Sequence, residues 1–81
     1  MDYIVFKQWL QNEKRMSIRS ANDVISRCKR INRLTERDVI DDDTVAILVE
    51  MELYDEMSLY IKSQLKRAAT LYMEFVNKEA K

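Results

Sequence analysis

The sequence predicts an all-α protein, a small single-domain bundle of four main helices with one short extra helical turn. Its 81 residues include neither glycine nor proline, the residues that most often form tight hairpins and bulges. Apolar residues recur instead at spacings of three and four, which is the period of an amphipathic helix. A chain of this length buries only about 60% of the surface that its unfolded form exposes, so we expect one compact core within residues 1–81.

The first helix is predicted over residues 3–14, with Asp2 as its N-cap residue. Its apolar stripe consists of Tyr3, Val5, Phe6, Trp9 and Leu10. We expect Trp9 to anchor the core, because it lies beside Leu10 on this stripe.

The second helix is predicted to begin after Ser17, a favourable N-cap residue, and to end near Arg33. Its apolar side should face the core and contains Ile18, Ala21, Val24, Ile25, Cys28 and Ile31. We expect Cys28 to pack there as a small hydrophobic residue. The opposite side carries Arg19, Ser26, Arg30 and Arg33 at its centre, Asn22 beside them, and Arg27 and Lys29 at its flanks.

The middle of the chain is predicted to hold the short helical turn and then a buried helix. Thr35 and Asp38 have the spacing of a capping box, which favours a turn of helix over residues 36–40. The three aspartates at 41–43 suit the positive end of a helix dipole, so a third helix should start there. Residues 45–54 are apolar on nearly every side, which predicts the most enclosed helix. Their β-branched side chains would also suit a strand, but a single strand would leave its hydrogen bonds unpaired.

The last helix is predicted to begin after Ser58, which can cap it. Its inward stripe consists of Ile61, Leu65, Ala68, Tyr72, Phe75 and Val76. The residues expected to face away from the core are Lys62, Lys66, Thr70 and Asn77, with Arg67 beside them.

Charge alternates along the chain, although the formal net charge is zero. Residues 14–37 contain eight basic side chains and two acids, whereas residues 38–57, here called the acidic segment, contain eight acids and no base. Residues 58–81 contain five bases and two acids. The two basic segments would form one surface if their helices packed side by side.

The composition argues against catalysis and against a bound metal or cofactor. Histidine, the commonest general base and zinc ligand, is absent. The aspartates at 41–43 lack the alternating ligands and the glycine of a calcium loop. Glu50 and Glu52 point to different sides of a helix and form no acid–base pair. No secretory signal or apolar stretch of about 18 residues occurs, and there is one cysteine, so we expect a cytoplasmic protein without a membrane partner.

Three motifs together resemble a known family. Phe6, Trp9 and Leu10 follow the order F-x-x-W-L, and residues 17–31 follow S-x-x-S-x-x-x-V-x-x-x-C-x-x-I. The stretch LKRAATLYMEFV at residues 65–76 forms the third. This layout is similar to the N-terminal core-binding domain of tyrosine recombinases and phage integrases, over nearly the whole chain.

The resemblance implies a non-catalytic domain that grips double-stranded DNA with its second and last helices. The cutting and rejoining machinery of those proteins, with its arginine, histidine and tyrosine residues, belongs to a separate domain. The expected DNA-binding residues are Arg19, Arg27, Arg30, Arg33, Lys62, Lys66 and Arg67. Such a domain would be either part of a recombinase-like protein or a freestanding phage or mobile-element regulator.

An alternative hypothesis is a small regulator that acts through protein–protein interaction. The acidic segment would repel DNA and could meet a basic partner, or the chain could dimerise. The two hypotheses differ in which helices carry the functional surface.

Overall fold

The computed structural model describes residues 3–79, and these residues form five helices and no strand. The helices are α1 (Ile4–Glu13), α2 (Ile18–Thr35), α3 (Asp42–Glu50), α4 (Glu52–Asp55) and α5 (Leu59–Glu79). The predicted all-α class is therefore confirmed. None of these helices is both long enough and apolar enough to cross a bilayer within residues 3–79. The predicted cap at Asp2 lies outside the described residues.

Helices α2 and α5 pack along each other and form the centre of the bundle, and α1 packs against both. Ala68 and Ala69 of α5 are both buried, and the small side chain at Ala68 suits a close approach of α5 to α2. The Cys28 thiol donates a hydrogen bond to the carbonyl oxygen of Ala68, with Sγ and O 3.6 Å apart. The predicted position of Cys28 in the core is confirmed.

The apolar stripe of α2 is confirmed at Ala21, Val24, Ile25, Cys28 and Ile31, all of which are buried. Ile18 was expected to join them, but it is 60% exposed. Ile25 points in nearly the same direction from two turns further on and is buried, so the exposure of Ile18 comes from its position as the first residue of α2.

Helix α1 holds an aromatic cluster together with the second half of α5. The Phe6 ring lies 5.0 Å from the Tyr72 ring and 5.3 Å from the Phe75 ring, measured between centroids. Trp9 is buried, which confirms its role in the core. Val5 was expected on the same stripe but is 56% exposed, because it lies roughly 110° from the centre of the stripe.

Residues 36–40 form no helical turn, contrary to the prediction. Glu36 adopts a left-handed conformation (φ 56°, ψ 31°) that ends α2, and its N–H donates to the carbonyl of Asn32. The Thr35 hydroxyl donates to the carbonyl of Ile31 and is not used to cap a following turn. The short extra helix is α4, which follows an extended residue, Met51.

The segment that was predicted to be the most enclosed lies at the edge of the bundle. It is helical, as predicted, except at Met51, whose extended conformation divides the expected single helix into α3 and α4. Helix α3 packs mainly against α2 and α4. In this segment, Ile47 and Val49 of α3 are 41% and 38% exposed, and Leu53 of α4 is 56% exposed. A helix with neighbours on one side buries one stripe only, however apolar its other sides are.

Helix α5 begins as predicted, because the Oγ atom of Ser58 accepts a hydrogen bond from the backbone N–H of Ile61. Its inward stripe is confirmed at Leu65 and Ala68, with Ile61, Tyr72 and Phe75 half-buried. The prediction that Val76 belongs to the inward stripe is wrong. Val76 is 43% exposed and lines an open groove of about 700 Å³ between α5 and the turn before α3. The buried residues Ala69 and Leu71 were not predicted.

Candidate nucleic-acid interface

The outer face of α2 is positioned by a capped helix start. The Oγ atom of Ser17 accepts a hydrogen bond from the N–H of Ser20 at 3.1 Å, as the sequence predicted. The cap stabilises the start of the helix, and burial of the apolar stripe turns the opposite face to solvent. The predicted outward residues Arg19, Asn22, Ser26, Lys29, Arg30 and Arg33 are all exposed, and Arg27 is half-buried at one flank.

The arginines of α2 have no ion-pair partner among residues 3–79. The ion pairs in this range join Lys14 and Lys78 to Glu74, Arg37 to Asp41, and Lys62 to Asp55. Helix α2 carries five basic residues and a single acid, Asp23, which makes no ion pair within the described range. The guanidinium groups are therefore available for anionic groups from another molecule.

A shallow groove of about 120 Å³ runs between α2 and the start of α5. It is lined by Arg27, Arg30, Tyr60, Ile61, Gln64 and Leu65. Arg30 belongs both to this groove and to the outer face of α2, so the groove opens directly beside the basic face. The structure thus brings Arg27 and Arg30 next to α5.

The basic residues of α5 divide between its two flanks. Arg67 follows Tyr60 by seven residues, about two helical turns, and so lies on the flank that faces the groove. Lys66 is exposed and lies roughly 100° away from Arg67, on the flank shared with Lys62. The predicted set of DNA-binding residues is therefore not one continuous strip along α5.

Lys62 was expected to face away from the core, and this expectation is wrong. Its ammonium group lies 5.6 Å from the centroid of the Tyr54 ring and 3.9 Å from an oxygen of Asp55. Its side chain is only 24% exposed. The aliphatic part of Lys62 packs on α4, and its charge is already partly matched by a neighbouring acid.

Tyr60 is a candidate functional residue that the sequence analysis missed. It is 69% exposed and lies at the mouth of the groove, in the first turn of α5. One sequence signal was present: Tyr60 falls outside the inward stripe that starts at Ile61, so helical spacing already turns it away from the core.

The acids at the start of α3 serve the helix itself. An oxygen of Asp41 accepts hydrogen bonds from the N–H and the hydroxyl of Thr44, each at 2.9 Å. These bonds, together with the nearby charge of Arg37, lower the pKa of the Asp41 carboxyl. No cluster of three His, Cys, Asp or Glu suited to a metal ion occurs within residues 3–79.

The buried ionisable groups Cys28 and Tyr3 are held in their neutral forms by their surroundings. Burial raises the pKa of the Cys28 thiol to about 12, so the nucleophilic thiolate is disfavoured at neutral pH. Burial also raises the pKa of Tyr3, whose hydroxyl donates to the side-chain oxygen of Asn32. Both groups hold α2 to its neighbours.

Comparisons with known protein families, with curated proteins and with solved structures gave no match for this chain.

Proposed function

We propose that this chain is a non-catalytic DNA-binding domain that holds duplex DNA against the basic face of α2 and the adjacent flank of α5. The observation that carries the proposal is the arginine surface of α2, in which Arg27 and Arg30 lie beside α5. These arginines, Arg19, Arg27, Arg30 and Arg33, have no ion-pair partner among residues 3–79. Arginine forks match phosphate geometry, and such contacts supply most of the sequence-independent affinity for DNA. The resemblance to the core-binding domain of integrases supports the same two helices.

We assign the contribution of α5 to Arg67, which lies on the same flank of α5 as the groove residue Tyr60. Lys62 is already occupied by Tyr54 and Asp55, and Lys66 lies on the same flank as Lys62. We therefore expect Arg67 to contribute more to DNA affinity than either lysine.

Salt dependence is the first test of the proposal. Helix α2 is about 27 Å long and spans roughly eight base pairs, so a labelled duplex of about 20 base pairs is long enough. Fluorescence anisotropy should show the affinity falling steeply between about 50 and 200 mM salt, with a log–log slope near −4 for four to five phosphate contacts. The absence of binding to the duplex at low salt would overturn the proposal.

Two neighbouring residues of α2 provide a matched pair of charge reversals. Both Lys29 and Arg30 are exposed, but Arg30 faces the groove, whereas Lys29 lies roughly 100° away around the helix. Arg30→Glu should weaken DNA binding at least tenfold and make the log–log dependence of affinity on salt less steep by more than about 1. Lys29→Glu should have a smaller effect, and equal effects would mean that only overall charge matters. Circular dichroism of both variants checks that the fold is retained.

A second candidate function is favoured by the exposed apolar residues of the acidic segment. Val49 and Leu53 are solvent-exposed among the eight exposed acids of residues 38–56, a combination typical of surfaces that bind a protein carrying basic residues. We consider a second copy of this chain as the partner, because its α2 offers the opposite charge. Sedimentation equilibrium at low salt should then show a dimer that Glu52→Lys weakens and Glu13→Lys, on α1, does not. A monomer at all accessible concentrations would exclude this function.

A further inference from the structure

The groove between α2 and α5 contains a chemical group that contact with duplex phosphates does not use, the exposed ring of Tyr60. The other three tyrosines contact neighbouring residues: Tyr3 and Tyr72 pack in the aromatic cluster, and Tyr54 contacts Lys62. Tyr60 is 69% exposed, and within residues 3–79 neither a second ring nor a cation covers it. Its ring faces are free to pack against a ligand.

The size of the groove limits what it can hold. Pockets for whole small molecules usually measure roughly 300 to 1,000 Å³, whereas this groove measures about 120 Å³. It therefore accepts one ring-sized part of a larger molecule. A peptide helix or a lipid chain would need a longer apolar trough.

The charge of the groove selects an anionic ligand. Arg27 and Arg30 line the groove together with the apolar residues Ile61 and Leu65, and Gln64 adds an amide that can donate and accept hydrogen bonds. An aromatic platform beside two guanidinium groups matches a nucleotide, which combines a flat base with phosphates on either side.

A base in intact duplex DNA is stacked on its neighbours and is not accessible to a protein ring. We propose that the groove binds one unpaired nucleotide, with its base packed on Tyr60 and its flanking phosphates held by Arg27 and Arg30. Because Arg30 also belongs to the basic face of α2, the preferred ligand is a duplex with a single-stranded extension. The duplex part of this inference rests on the proposed function, and the groove itself does not.

The test compares three DNA ligands at one salt concentration: a blunt duplex, the same duplex with an overhang of about three nucleotides at its 5′ or 3′ end, and the single strand. Base stacking on an aromatic side chain is usually strong enough that the overhang should tighten binding by about tenfold. Tyr60→Ala should abolish this gain and leave the affinity for the blunt duplex unchanged. Tyr60→Phe should retain the gain, since it keeps the ring.

Leu59 provides a matched control next to Tyr60. It is 81% exposed and also lies in the first turn of α5, but it does not line the groove. Leu59→Ala should leave the overhang gain intact. A 2-aminopurine base in the overhang provides a direct readout, because its fluorescence should be quenched on binding to the wild type and to Tyr60→Phe but not to Tyr60→Ala.

The possible outcomes separate this inference from the proposed function. Equal binding of blunt and overhang duplexes overturns the unpaired-nucleotide site and leaves the duplex-binding proposal standing. Tyr60-dependent binding of the single strand without any duplex binding supports the groove and overturns the proposed function. If Tyr60→Ala weakens blunt and overhang duplexes equally, Tyr60 is a duplex contact and the inference is wrong.

Discussion

Helix α2 and the segment formed by α3 and α4 start in the same way but end up in different environments. Each begins at a side-chain cap: Ser17 accepts the N–H of Ser20, and Asp41 accepts the N–H of Thr44. Helix α2 then buries five residues along one stripe. The α3–α4 segment is more apolar on its other sides, yet it buries only Thr44, Leu48 and Tyr54.

The difference shows that the hydrophobicity of a helix and its burial are separate properties. Helix α2 has α1, α3 and α5 as neighbours, whereas α3 contacts mainly α2 and the short α4. Surface charge follows the same division, because the exposed face of α2 is basic, whereas residues 41–56 contain seven exposed acids and no base. The two regions therefore offer different surfaces to partners.

The largest expected change in stability comes from two leucines of the acidic segment, one buried and one exposed. Leu48 is fully buried and Leu53 is 56% exposed. We expect Leu48→Ala to lower the free energy of unfolding by about 2 to 5 kcal/mol, a large share of the stability of so small a domain. Leu53→Ala should change it by no more than about 0.5 kcal/mol. Urea unfolding followed by circular dichroism measures both, and equal losses would contradict the edge position of this segment.

A smaller effect tests the start of α2. Ser17→Ala removes the cap of this helix and should lower the free energy of unfolding by about 1 kcal/mol. Ser26→Ala is the matched control, because Ser26 is exposed in the middle of α2 and alanine is the better helix former there. The control should be neutral or slightly stabilising. A comparable loss in both variants would show that the cap bond contributes nothing specific.

The smallest effect concerns pH and the cap of α3. The N–H of Thr44 is the main cause that lowers the pKa of Asp41 in the folded protein. A carboxyl with a lowered folded pKa stabilises the protein above its ordinary pKa of about 4, and this contribution is lost as pH falls through the folded pKa. The melting temperature of Asp41→Asn should therefore fall less steeply than that of the wild type as acid is added below about pH 5.

A second carboxyl contributes to the same acid loss and keeps the experiment interpretable. The hydrogen bond from Lys14 is the main cause that lowers the pKa of Glu74. Combining Asp41→Asn with Glu74→Gln should flatten the acid dependence further than either change does. If Asp41→Asn matches the wild type at every pH, the cap carboxylate does not stabilise α3 through its charge.

Much of the fold was predictable because the relevant interactions are local. The helix starts at Ser17 and Ser58 depend on bonds to an N–H three residues along the chain, and both were predicted. The turn after α2 was not predicted correctly. The Thr35 hydroxyl donates to the carbonyl oxygen of Ile31 and so does not form the capping box that the spacing of Thr35 and Asp38 suggested.

The candidate site was only partly predictable. The exposed arginines of α2 follow from helical spacing, and the structure agrees at Arg19, Arg30 and Arg33. Helical spacing also predicted that Lys62 faces solvent, but it cannot show that Tyr54 and Asp55 of α4 lie close to its ammonium group. Tyr60 was missed for the related reason that its neighbours in the groove belong to another helix.

The sequence by itself determined the all-α class, the capped helix starts and the buried stripe of α2, because each depends on residues within one or two helical turns. Only the tertiary structure decided that the acidic segment lies at the edge, that Lys62 is engaged by α4, and that Tyr60 meets Arg27 and Arg30. Those outcomes depend on which helices become neighbours. That choice is made by packing between parts of the chain that are far apart in sequence.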